Sequence, residues 1–92
     1  MSFDFEWDAE KAAANLTKHG VSFPLATSVF DDPHSLDRED DREDYGEARR
    51  FIVGLVDDME LAVAYTWRGD CIRLISARRA TPHEQRKYWK NR

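Results

Sequence analysis

Residues 49–78, "RRFIVGLVDDMELAVAYTWRGDCIRLISAR", decide the fold of this sequence. Three runs rich in apolar, β-branched and aromatic residues (49–56, 60–67 and 71–78) are separated by the short stretches "DDM" and "RGD". Because connections this short join antiparallel neighbours, the three runs predict a meander of three strands. Gly69 supplies a positive φ for a hairpin turn, so we interpret "RGD" as a turn and not as an adhesion motif.

Two helices are predicted before the meander. Asp8 is a suitable N-cap for a helix over 8–19, in which apolar residues at 9, 12, 13 and 16 predict one buried stripe. Gly20 follows as a typical C-terminal cap. The segment "VSFPLATSVF" at 21–30 predicts a second, shorter helix that ends at "DDP".

A final helix is predicted over 82–90. Thr81 and Glu84 have the spacing of a capping box, and Pro82 falls at the first helical position. Arg78 and Arg79 directly precede this start, close to free backbone N–H groups and the positive end of the helix dipole. This arrangement attracts anions, and phosphate above all.

The elements together predict an α+β fold in one domain over residues 1–92. A short strand within "FDFEW" opens the chain, and an antiparallel meander sheet carries two N-terminal helices on one face. The C-terminal helix returns across an end or a face of that sheet. Residues 31–48 have few apolar side chains and no periodicity, and are expected to form an acidic surface loop.

Charge is unevenly distributed along the chain, although the net charge is −4. Residues 31–47 hold nine acids and two arginines, whereas residues 67–92 hold eight Lys or Arg and two acids. The basic last third suits a polyanionic partner. The acidic segment has three open interpretations: a solvated loop, a shield for the basic face, or a contact for a basic partner.

Composition favours a cytoplasmic protein that needs no cofactor. Cys71 is the single cysteine, the N-terminus has no basic start or apolar core of a signal peptide, and no stretch approaches the ~18 apolar residues that span a bilayer. No membrane contact is expected. The sequence also has none of the common metal, nucleotide or hydrolase motifs, so neither a metal nor a cofactor is expected.

The remaining candidates for chemistry are basic. Arginines bind and polarise phosphate, and histidine transfers protons near neutrality, which together suffice for metal-free RNA cleavage through the RNA's own 2′-hydroxyl. Arg78 and Arg79, adjacent on an extended segment, must point to opposite faces. One therefore serves a site while the other braces the acidic loop, and the sequence leaves open which.

The segments "FEWDAEKAAANLTKHGVSF", "VFDDP", "EARRFIVG" and "IRLISARRATPHEQRKY" resemble the BrnT family of type II toxin–antitoxin toxins. The resemblance covers roughly residues 3–88. It implies a RelE-like fold, ribonuclease activity, and neutralisation by a BrnA antitoxin with a ribbon-helix-helix DNA-binding domain. Two toxins and two antitoxins are then expected to form a heterotetramer that contacts operator DNA through the antitoxin.

Nine residues are predicted to form the site from this resemblance and from the basic set. Catalytic roles are expected for Lys18, His19, Arg78 and Arg79, and substrate binding for Arg49, Arg50, Arg68, Arg73 and His83. The predicted function is a ribonuclease toxin. The alternative is a non-enzymatic interaction module, or an inactive toxin that acts only as a co-repressor with a DNA-binding partner.

Overall fold

The computed structural model describes residues 3–41 and 46–91, which form a small α+β structure around one five-stranded sheet. The strands are β1 (Asp4–Glu6), β2 (Leu36–Asp40), β3 (Arg49–Val56), β4 (Met59–Arg68) and β5 (Cys71–Arg79), and the helices are α1 (Ala9–His19), α2 (Phe23–Ala26), a 3₁₀ helix (Thr27–Asp31) that continues α2, and α3 (Pro82–Lys90).

The predicted meander is confirmed. Strands β3, β4 and β5 pair antiparallel through two-residue turns. Asp57 and Asp58 both have positive φ, at 48° and 65°, and Gly69 has φ 62° in the second turn. Positive φ angles give these turns the same twist as the paired strands, which explains why two residues are enough to close each hairpin.

The sheet is larger than predicted and is mixed. Its strand order is β1-β5-β4-β3-β2, and β1 pairs parallel with β5. Strand β2 lies within the 31–48 segment that was expected to be a loop, and this expectation is wrong for Leu36–Asp40; residues 42–45 lie outside the described residues. Opposite charges explain the pairing, because the register sets Glu39 opposite Arg50.

The predicted stripe of α1 is also wrong. The helix buries Asn15 and leaves Leu16 half exposed, at 50%. The Asn15 amide donates to the carbonyl oxygens of Ala77 (2.8 Å) and Val21 (3.0 Å) and accepts from the Ala77 N–H (3.1 Å). Because β1 pairs with β5 only over residues 71–73, this amide satisfies backbone groups that a neighbouring strand would otherwise pair. Hydrogen bonding, and not apolar periodicity, therefore sets the rotation of α1.

The main core lies on one face of the sheet, which we call the core face. Side chains of α2 and the 3₁₀ helix pack there on alternate residues of β3, β4 and β5. The buried members are Val21, Phe23, Ala26, Val29, Ile52, Val56, Leu61, Val63, Tyr65, Ile72, Leu74 and Ala77. Gly54 permits the close approach of the 3₁₀ helix, since a Cβ atom there would lie 2.6 Å from Val29 Cγ2.

A smaller core lies on the opposite face, under α3. Tyr88 packs with Phe51, Val53, Ala62 and Ala80. The capping box of α3 is present as predicted, with the Thr81 hydroxyl accepting from the Glu84 N–H and the Glu84 carboxylate accepting from the Thr81 N–H. In the described part of the chain, every helix is too short or too polar to cross a bilayer.

Asp32 joins the 3₁₀ helix to both β3 and α3. Its carboxylate accepts hydrogen bonds from the Leu55 N–H (2.8 Å) and the Tyr88 hydroxyl (2.5 Å). Burial favours the neutral acid, but the hydrogen bonds from Tyr88, Leu55 and His34 outweigh it and lower the pKa of Asp32. The ionised carboxylate therefore helps to fix α3 against the sheet.

Candidate functional site

Five arginines share the sheet face that α3 covers at one end. Strand register assigns them to this face, because alternate residues of a strand share a face with their cross-strand partners. Four of the five lie opposite, or an even number of residues from, a residue of the smaller core, and Arg73 lies opposite Thr66, four residues from Ala62. They come from four strands and are Arg38, Arg49, Arg68, Arg73 and Arg78. We call this surface the arginine face.

The Arg78 guanidinium is held in one geometry by three kinds of contact. It donates to both carboxylate oxygens of Glu84, at 2.8 and 3.0 Å, and to the Arg79 carbonyl oxygen at 3.2 Å. Its Cζ atom lies 5.4 Å from the centre of the Phe51 ring. A guanidinium fixed in this way is preorganised, so it loses little side-chain entropy when it binds an anion. With 30% of the side chain exposed, it remains open to a ligand.

Glu84 has two roles in this arrangement. It closes the capping box of α3 and it braces Arg78, so the start of the helix and the end of β5 share one carboxylate. Burial alone would raise the pKa of Glu84, but hydrogen bonds from Arg78 and Thr81 outweigh it, and the pKa lies below the usual value. Glu84 is therefore ionised at neutral pH and is a weak proton acceptor.

Two further arginines on this face lie beside carboxylates at its edge. Arg73 donates to Glu6 at 2.7 Å, and Arg68 lies 3.8 Å from Glu47. The hydrogen bond from Arg73 lowers the pKa of Glu6. Both pairs are at least partly solvated, and exposed ion pairs of this kind are weak. A phosphate could thus replace these carboxylates at low cost.

By register, Arg79 and Arg50 project from the core face, although the Arg79 guanidinium reaches Glu60 at the end of β4. Register sets Arg79 across from Leu61, and its guanidinium is 4.0 Å from Glu60 with 55% of the side chain exposed. Arg50 donates to Asp37 at 3.1 Å, where the Tyr65 hydroxyl also donates. The predicted divergence of Arg78 and Arg79 is confirmed, and Arg78 projects from the arginine face. The expectation that the other arginine braces the acidic loop is wrong, because Arg79 lies beside Glu60 of β4.

Lys18 and His19 lie in the last turn of α1, which packs at the edge of β5 with the main core. Within residues 3–41 and 46–91, no hydrogen bond, ion pair or ring contact joins either side chain to the arginine face. His83 is exposed in the first turn of α3. The structure therefore brings together Arg49, Arg68, Arg73 and Arg78 and leaves Lys18, His19, Arg50 and Arg79 elsewhere.

The sequence alone missed two members of this surface. Arg38 was included in the acidic loop, because a strand of charged residues lacks the apolar alternation that reveals strands. Phe51 is a core residue that is only 7% exposed, yet the guanidiniums of Arg38 and Arg78 both lie against its ring, at 5.9 and 5.4 Å. The alternation of side chains in "RRFIV" indicates that Arg49 and Phe51 share one face of β3. This was the signal in the sequence that could have added Phe51 to the surface.

This arrangement is suited to a phosphodiester. Guanidiniums spaced along one face can bind successive backbone phosphates, and arginine donates two parallel hydrogen bonds to one phosphate. Charge that develops on phosphate oxygens during displacement would be stabilised at the same place. The face thus has the properties of a nucleic-acid-binding surface that could also support phosphoryl chemistry.

Sequence comparison agrees with this geometry. Residues 7–84 match the model of the family described as the ribonuclease toxin, BrnT, of type II toxin–antitoxin systems. The match covers most of the chain, and the chain belongs to this family. No curated protein is significantly similar to it in sequence. Membership confirms the resemblance seen in the sequence and implies an RNA substrate and an antitoxin partner.

Proposed function

We propose that the chain is a metal-independent endoribonuclease toxin and that its arginine face binds the scissile phosphate. The observation that carries this proposal is the fixed Arg78 guanidinium, braced by Glu84 at 2.8 and 3.0 Å on a face that carries four other arginines. Membership in a family of ribonuclease toxins supports the same substrate.

In the proposed reaction the RNA supplies its own nucleophile. The 2′-oxygen attacks the adjacent phosphorus, the bond from phosphorus to the 5′-oxygen breaks, and the products carry a 2′,3′-cyclic phosphate and a 5′-hydroxyl. One proton leaves the 2′-hydroxyl and one is delivered to the 5′-oxygen. Arg78 and its neighbours stabilise the extra charge on the phosphate oxygens during the exchange.

Proton transfer requires a different group from Glu84, whose lowered pKa makes it a weak base. The sequence assigned this role to Lys18 and His19, which lie on α1 away from the arginine face. His83 is exposed in the first turn of α3 and directly precedes Glu84, the partner of Arg78, so His83 is the proposed proton-transfer group and His19 the alternative. Separate replacement of His19 and His83 by alanine assigns the role. The variant that flattens the pH dependence of cleavage identifies the proton-transfer group.

The proposed partner is a BrnA-like antitoxin with a ribbon-helix-helix domain. Type II membership supports a protein antitoxin. Two toxins and two antitoxins would form a cytoplasmic heterotetramer, and operator DNA would be contacted through the antitoxin. Light scattering of the co-purified pair measures the mass of the complex. The mass of a heterodimer, with one toxin and one antitoxin, would contradict the heterotetramer.

Cleavage in EDTA tests the activity directly. Purified chain is incubated with single-stranded RNA, and the ends of the products are identified by mass spectrometry. Cyclic phosphate ends that disappear when the substrate carries a 2′-deoxy sugar are the expected result. Intact RNA, together with retained antitoxin binding, would instead favour the alternative of an interaction module or an inactive co-repressor.

A further inference from the structure

A groove lies between β2 and α3, beside the arginine face. Its volume is about 170 Å³. The floor is apolar and is formed by residues of the sheet. The walls are polar and are formed by β2 on one side and by α3 and the residue after it on the other. The lining residues are Leu36, Arg38, Phe51, Val53, Glu84, Lys87 and Asn91.

The size of the groove limits what it can hold. Pockets for drug-sized ligands have volumes of about 300–1,000 Å³. A space of 170 Å³ is therefore too small for a whole nucleotide but large enough for one planar ring system. The apolar floor and the side-chain amide at Asn91 offer an apolar contact and a hydrogen-bonding group for such a ring.

The groove is continuous with the arginine face. Phe51 forms part of its floor, and the same ring contacts the guanidiniums of Arg38 and Arg78. A group in the groove would thus lie next to a phosphate bound by Arg78. Arg38 and Lys87 add positive charge at its walls, and the one carboxylate of the lining, Glu84, is paired with Arg78. The walls therefore favour an occupant attached to an anionic backbone.

A second cavity, of about 180 Å³, lies on the other side of Arg38 and provides a contrast. Its lining includes Glu39, Asp40 and Asp41. Three carboxyl groups would repel a phosphate backbone. Charge therefore selects the groove beside α3 as the one that an RNA chain on the arginine face can enter.

We propose that this groove binds one unpaired nucleobase next to the scissile phosphate and so sets base preference. The proposal rests on the proposed function and adds a specificity site to it. Single-stranded RNA suits the geometry, because an unstacked base can turn away from its backbone and enter a groove with an apolar floor. A base in a duplex could not reach the floor.

Nuclear magnetic resonance with nucleoside 5′-monophosphates tests occupancy. The four monophosphates are titrated separately into the chain, and inorganic phosphate is the reference ligand. We expect resonances of Leu36, Phe51 and Val53 to shift with at least one monophosphate and to stay in place with phosphate. Shifts confined to the arginines, identical for all five ligands, would overturn the inference.

A matched pair of variants tests the groove by obstruction. Lys87→Trp places a bulky side chain at its wall, and Lys90→Trp makes the same change of charge and size at an exposed position of α3 outside the lining. Both replacements are on the helix surface, so folding should be retained. Because the obstructed groove loses the base contact, Lys87→Trp should bind the monophosphate about tenfold more weakly than Lys90→Trp. Equal affinities in the two variants would contradict the inference.

Two results separate this inference from the proposed function. Wild-type cleavage with no nucleotide in the groove would overturn the base site and leave the ribonuclease proposal standing. Nucleotide binding in the groove without cleavage would overturn the ribonuclease proposal and support the base site. If nucleotides do not enter and purified antitoxin shifts the same resonances, the groove is a protein contact and the inference is wrong.

Discussion

The two faces of the sheet differ in what their side chains contribute. On the core face, Leu61, Val63 and Tyr65 are almost completely buried under α2 and the 3₁₀ helix. On the arginine face, α3 covers one end, and five arginines of β2, β3, β4 and β5 project from the same side of the sheet. Because alternate residues of one strand serve different faces, stability and ligand binding can be changed independently. The following changes test this separation.

Leu61→Ala should give the largest effect. Leu61 is fully buried, so truncation leaves a cavity and should lower the free energy of unfolding by about 3 kcal/mol. Leu16→Ala is the matched control, because Leu16 is half exposed on α1 and should change stability by no more than about 0.5 kcal/mol. Urea denaturation measures both, and similar losses would show that the core is not where the structure places it.

Arg78→Ala should lower the rate of RNA cleavage about 100-fold, the typical loss when one charge-stabilising donor is removed. Arg79→Ala removes the adjacent guanidinium from the opposite face and should lower the rate less than about threefold. Rates are compared per folded molecule, since loss of Arg78 leaves Glu84 without its partner. A larger loss in Arg79→Ala would contradict the assignment of the two faces.

Glu47→Gln should strengthen RNA binding. Glu47 lies 3.8 Å from Arg68, and neutralising it removes an exposed negative charge that competes with phosphate. The gain should be at most about fivefold, because exposed pairs contribute up to about 1 kcal/mol. Fluorescence anisotropy with a 2′-O-methyl RNA measures affinity without cleavage. Glu10→Gln, on α1, makes the same change away from the arginine face and should leave affinity unaltered.

Asp32 connects the two sides of the sheet through Leu55 and Tyr88. Its replacement by asparagine should have the smallest effect of these changes, and the loss of stability should depend on pH. Burial raises its pKa, but the hydrogen bonds from Tyr88, Leu55 and His34 lower it overall. Its folded pKa is thus below the unfolded value of about 3.9. The stabilisation is complete above that value and disappears as pH falls through the folded pKa.

Thermal denaturation of wild type and Asp32→Asn between pH 6 and pH 3 measures this linkage. Wild type should be more stable at pH 6, and the difference should narrow below about pH 4. A difference that stays constant over the whole range would show that ionisation of Asp32 does not support α3.

Much of the fold could be predicted from the sequence, because local signals and the final structure agree there. The three strands of residues 49–78 and the capping box at Thr81 follow from alternation and spacing. Strand β2 could not be predicted, since it depends on distant partners such as Arg50 and Tyr65 that hydrogen-bond to Asp37. Asn15 likewise pairs with Ala77 across 62 positions.

The candidate site was only partly accessible from the sequence for the same reason. Alternation predicted that Arg78 and Arg79 diverge, but Arg78 could be assigned to a face only once its contact with Glu84 was known. Whether Lys18 and His19 lie near Arg78 and Arg79 depends on where α1 packs, which the sequence does not show. Side-chain hydrogen bonds of Asn15 decide this, and no periodicity reports them.

The central claim is that RNA binds on the arginine face. Mapping of chemical shifts with a 2′-O-methyl RNA, which binds and is not cleaved, tests it most directly. Side-chain resonances of Arg38, Arg68, Arg73 and Arg78 should shift in saturable fashion, while those of Leu16, Lys18 and Arg79 should not. Shifts centred on Lys18 and His19, with the five arginines unchanged, would contradict it.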